Sequence, residues 1–116
     1  RHARHGAATR AAVEAWGLEV QCADPAAYSG TLTGVQLPEG QSADALRALI
    51  LARFDMSLGA GLGRLADRMF RIGHLGDIND LTLLGTLAGV EMGLALAQVP
   101  HRPGGVNAAM AVLAEA

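Results

Sequence analysis

The sequence predicts an α+β domain, a small and mostly antiparallel sheet with helices packed on one face. Three observations carry this reading. Helix and strand patterns follow the order helix, strands, helix, strands, helix, helix, without the regular βαβ alternation of a dinucleotide-binding fold. The chain has 116 residues, 51% hydrophobic and 17% charged, enough apolar surface for one domain with a true core and too much for disorder. The strand patterns are bounded by Pro and Gly turns such as Pro38-Glu39-Gly40.

The elements follow in order. The chain reads as helical from its first residues, with no cap ahead of Arg1, so it is expected to begin inside a helix. No apolar run follows the early basic residues, which argues against a signal peptide. Ala8, Ala11, Ala12, Ala15 and Trp16 fall at helical spacing, and Gly17 stands where a left-handed residue ends a helix. Leu18 to Gln21 alternates as a short strand, and Asp24-Pro25 reads as a turn. Thr31 to Leu37 alternates polar and apolar residues, as a strand buried on one face does. Ser42 is a good N-cap, Asp44 complements the helix dipole, and Leu46, Leu49, Ile50 and Phe54 share a face. Met56 to Gly59 reads as a short strand entering a glycine loop that runs to Gly63, and Arg68 to Gly73 as the next strand. Asp77 and Asn79 both suit the cap of a long apolar helix from about Asn79 to Val99, stopped by Pro100. Gly104-Gly105 opens a last helix with Val106, Met110 and Leu113 on one side.

Composition excludes several functions. All nine basic residues are Arg, so no mechanism that needs a lysine can be completed within this sequence. A net charge of −2 and the lack of a basic stripe argue against a nucleic-acid partner. The single cysteine, Cys22, cannot form an intrachain disulfide, which fits a reducing, cytoplasmic setting and a structural thiol. Gly59, Gly61 and Gly63 suggest a phosphate loop, but Arg64 occupies the place of the third fingerprint glycine, so a tight connection is the better reading. Leu81 to Val99 is long enough to cross a bilayer, and Gly85, Gly89 and Gly93 lie at GxxxG spacing. Glu91 near the centre of such a span would cost roughly 2.5–3.5 kcal/mol, and no aromatic belt flanks it. A core helix with a glycine groove, and no membrane, is therefore expected. His2 and His5 lack a third metal ligand, and Asp77, Asn79 and Asp80 read as capping residues rather than a calcium loop.

Arg71 is different. It lies among Phe70, Ile72 and Gly73 in an apolar strand, and a buried guanidinium cannot shed its charge. It needs either a structural carboxylate or a ligand carboxylate, and Gly73 and Gly76 would leave room for the latter.

Three runs carry a resemblance. These are Ser57-Leu58-Gly59-Ala60-Gly61-Leu62-Gly63, Phe70-Arg71-Ile72-Gly73-His74-Leu75-Gly76-Asp77, and Leu84-Gly85-Thr86-Leu87-Ala88-Gly89-Val90-Glu91-Met92. With Trp16-Gly17-Leu18 and the tail from His101 to Val106, the sequence resembles the C-terminal small domain of class V PLP-dependent aminotransferases. The likeness is strongest to the serine–glyoxylate and alanine–glyoxylate group.

The resemblance implies a fold-type I enzyme that moves an amino group from serine or a similar small amino acid to glyoxylate. It implies pyridoxal 5′-phosphate bound by a large domain that this sequence does not contain, 2-oxo acid partners, and a homodimer. Residues 1–17 would then end an interdomain helix, and 18–116 would form the small domain, inactive alone. Arg71 falls on the family's carboxylate-binding arginine. His74 follows in the same run and either lines the mouth of the site or bonds the backbone. Other class V enzymes, acting on alanine or ureidoglycine, share the pattern. A non-catalytic interaction domain of the same fold is the alternative from outside enzymes.

Overall fold

The structure is a computed structural model that describes residues 2–21, 32–61, 63–73 and 79–115, with the backbone alone for His2 and Arg64. Cys22 and the Asp24-Pro25 turn lie outside the described residues. Among these residues, four α-helices and four strands follow in the order α1 (His2–Ala15), β1 (Glu19–Val20), β2 (Leu32–Gln36), α2 (Ala43–Phe54), β3 (Gly59–Ala60), β4 (Met69–Gly73), α3 (Asp80–Leu96) and α4 (Gly105–Leu113), with a single 3₁₀ turn at Gly63–Leu65 between β3 and β4. The strands form one sheet in the order β1-β2-β4-β3, and every neighbouring pair is antiparallel.

Strand alternation sets the two faces of this sheet. Thr33, Val35, Phe70 and Ile72 are buried on one face, where α1 and α2 lie against the strands. The helices α3 and α4 pack on α1, and α3 also on α2, so all four sit on that side. The core holds Trp16, Leu46, Ile50, Leu83, Leu87 and Leu94 beside those strand residues. The predicted fold class is the observed one.

Local chemistry sets most helix ends. Gly17 adopts φ +79°, its N–H donates to the Glu14 carbonyl, and the Leu18 N–H donates to the Val13 carbonyl at 3.1 Å. This pair of bonds closes α1 with a left-handed glycine, as Trp16-Gly17 predicts. Ser42 caps α2 by accepting from the Ala45 N–H, and Asn79 caps α3 by accepting from the Thr82 N–H.

Three expectations need correction. The edge strand is Gly59–Ala60, inside the glycine run rather than before it, because Gly59 and Ala60 pair with Arg71 and Phe70 of β4. The long helix stops at Leu96 and not Val99. Gln98 takes the left-handed conformation (φ +58°) while the Val99 N–H reaches back to the Leu94 carbonyl at 3.0 Å, so the chain turns before Pro100 can act. In α4 the buried residues are Gly105 and Ala109, with Val106 and Leu113 partly buried and Met110 43% exposed. The cause is close approach to α1: a Cβ on Gly105 would lie 2.2 Å from Trp16 Nε1.

Candidate functional site

Among the described residues, the four α-helices lie on one face of the sheet, and Arg71 stands on the other. β4 is a central strand, so Arg71 has a partner on both sides, Gly34 of β2 and Gly59 of β3. Phe70 and Ile72 point the other way into the core, which fixes the strand's orientation. Two glycines beside the arginine leave its stem unobstructed. The side chain is half-buried and lies toward β3, where Nε–H donates to the Ala60 carbonyl at 3.0 Å. Gly61, Leu65, Met69 and Arg71 line a groove of about 180 Å³.

The sequence posed a choice between a structural carboxylate and a ligand. Among the described residues, no Asp or Glu pairs with Arg71. Its partner there is a backbone oxygen, and among the described residues neither terminal nitrogen has a protein partner. A fixed guanidinium with its end open can take a carboxylate through two parallel N–H···O bonds. His74, Gly76 and Asp77 lie outside the described residues.

Other charged residues do structural work that the sequence left open. Glu91 accepts from Trp16 Nε1–H at 2.8 Å and from the Val106 and Gly104 backbone N–H groups at 3.1 and 3.3 Å. It therefore caps α4, which has no side-chain cap of its own. Partial burial is the largest influence on its carboxyl and raises the pKa, but the donors from Trp16, Val106, Gly104 and Gly105 together outweigh it and hold the group below its ordinary range. Asp80 accepts two bonds from Arg4, at 2.9 and 3.1 Å, and one from the fully buried His5 at 2.8 Å. The Arg4 hydrogen bonds, then that from His5, lower its pKa. Asp67 accepts from the Ser42 hydroxyl and the Asp44 N–H, in that order of effect on its lowered pKa, and so braces the start of α2. Among the described residues, no cluster of three metal-ligating side chains exists, and no helix is long and apolar enough to cross a membrane.

An antiparallel sheet with the α-helices on one face and Arg71 on the other is the architecture of this domain. No protein-family model matches the chain. Its sequence is 47% identical over 116 residues to serine–glyoxylate aminotransferase of Methylorubrum extorquens, covering 99% of this chain and 29% of that protein. It is 41% identical over 110 residues to L-aspartate–glyoxylate aminotransferase of Paracoccus denitrificans, covering 94% of this chain and 28% of that protein. The fold matches the crystal structure of ureidoglycine–glyoxylate aminotransferase from Bacillus subtilis with a TM-score of 0.89 and 29% identity, over 98% of this chain and 30% of that one. The chain belongs to the class V aminotransferase family, as the counterpart of its members' C-terminal part. It spans less than a third of the length of these relatives.

Two contributors to the site escaped sequence reasoning. The Ala60 carbonyl is a backbone atom with no side-chain signature, and Gly59 reads as the end of a short strand entering a loop, with nothing in the sequence to name Arg71 as its partner.

Proposed function

We propose that the chain is the small domain of a glyoxylate-using aminotransferase and that Arg71 receives the substrate carboxylate. The observation that carries this reading is the Arg71 guanidinium on the sheet face opposite the four α-helices, held at Nε and open at its end among the described residues. Bound in two places, a carboxylate fixes the position of the amine beside it, so the amine meets its reaction partner in one orientation. Such charged hydrogen bonds contribute about 1.5–3 kcal/mol. Serine or a similar small amino acid is the donor and glyoxylate the acceptor, a reading supported by relatives named for serine and for aspartate. His74, three residues further along the sequence, is the second candidate.

The rest of the machinery belongs outside this sequence. With no lysine, the chain does not fit as the covalent holder of pyridoxal phosphate. That cofactor, bound on a large domain, supplies the electron withdrawal that amino transfer needs. A homodimer and a cytoplasmic location belong to the same reading.

Replacing Arg71 by Lys in the full-length enzyme removes the two-pronged contact. We expect kcat/KM for serine and glyoxylate to fall at least about 10-fold. Unchanged steady-state kinetics would remove Arg71 from the site.

A further inference from the structure

We propose that Gly59 is a positioning residue that sets which edge of Arg71 meets a carboxylate. The inference rests on Arg71 as the carboxylate receiver. Both residues opposite Arg71 in the sheet are glycines, but they differ in what they make room for. A Cβ on Gly34 would press on Met69 and Gln21. A Cβ on Gly59 would stand 3.2 Å from Arg71 Cβ and 3.4 Å from its Nε. Side chains directly opposed in antiparallel strands normally keep their Cβ atoms about 4.5–5.5 Å apart. Arg71 thus leans into space that any other residue at position 59 would fill.

That lean has a chemical result. It carries Nε to the Ala60 carbonyl, 3.0 Å away. A guanidinium can take a carboxylate side-on, through Nε and one terminal nitrogen, or end-on, through both terminal nitrogens. With Nε committed to Ala60, the end-on approach is the one that keeps this bond while two terminal N–H groups meet the carboxylate. Arg71 lines a groove together with Gly61, Leu65 and Met69, next to this bare edge strand.

The test uses the full-length enzyme loaded with its cofactor and compares serine with ethanolamine, the same amine without the carboxylate. The readout is the ratio of their kcat/KM values, which a general loss of folding or cofactor does not move. Arg71→Gln should lower the ratio about 10-fold to 100-fold. Gly59→Ala should lower it about 5-fold or more by pushing the stem off its anchor. A normal ratio in Gly59→Ala, with a lowered one in Arg71→Gln, overturns the positioning role and leaves Arg71 in place. A normal ratio in Arg71→Gln overturns both. A parallel loss with serine and ethanolamine in Gly59→Ala makes the glycine merely structural and also overturns the role. If Gly59→Ala does not fold, Ala60→Gly keeps the carbonyl but loosens the strand, and its ratio should fall about 2-fold to 3-fold; no change there counts against the anchor.

Discussion

Glu91 shows how a single side chain can be misjudged by its sequence neighbours. In an apolar run it reads as a charge that forbids a membrane span. In the fold it joins three elements, because Trp16 directly follows α1, Glu91 lies in α3, and Gly104 and Val106 open α4. Glu91→Ala should destabilise the domain by about 1–3 kcal/mol, since it strands these donors in a partly closed place. Glu91→Gln keeps one acceptor oxygen and should lose less. Urea unfolding of the two variants checks the order, and equal losses would deny the carboxylate its capping role. None of this was legible locally, because Trp16 and Glu91 are 75 residues apart in sequence. Arg71 was legible as a candidate because an arginine among apolar strand residues demands a partner. Its anchor was not, since a backbone carbonyl leaves no mark in the sequence.

The helix α3 carries three glycines at one spacing with three different jobs. A Cβ on Gly93 would lie 2.5 Å from Ile50 Cγ1, one on Gly89 would meet the mobile end of Met56 at 2.8 Å, and one on Gly85 would meet nothing within 4 Å. Gly85→Ala should therefore stabilise the domain by up to about 1 kcal/mol through helix propensity. Gly93→Ala should destabilise it by about 1–3 kcal/mol through overpacking against α2. Thermal melts of the pair would test this, and two shifts of the same sign would contradict the packing. The end of α3 offers a related check. Gln98 sits in a left-handed conformation that costs a non-glycine residue roughly 1–2 kcal/mol, so Gln98→Gly should raise the melting temperature. Caps and glycine stops were readable in advance because they act within four residues. The true end of α3 and the buried face of α4 were not, since both depend on what packs against them.

At the scale of the molecule, Arg4, His5 and Asp80 bind the start of α1 to the start of α3, and Arg4 also donates to the Leu113 carbonyl at the end of α4. Asp80, Asp67 and Glu91 all have lowered pKa values in the fold. Their ordinary values are 3.8, 3.8 and 4.5. A depressed carboxylate favours folding above its unfolded pKa, and that contribution disappears as pH falls through the folded value. The urea midpoint should thus decline below about pH 4.5, first through Glu91 and then through the aspartates. A midpoint that holds steady down to about pH 3 would show that these contacts do not favour the fold. The overall class was legible from element order alone, because alternation and helical spacing survive without knowledge of contacts. The strand order β1-β2-β4-β3 was not, since it joins segments far apart in the chain.

The two outer strands of that sheet, β1 and β3, are two residues long each. Such short borders offer another polypeptide almost no ladder on which to grow. Self-association by strand addition, the first step toward fibrils, finds little purchase there even though half of the sequence is apolar. Concentrated solutions of the domain should accordingly form no dye-binding fibres as long as it stays folded.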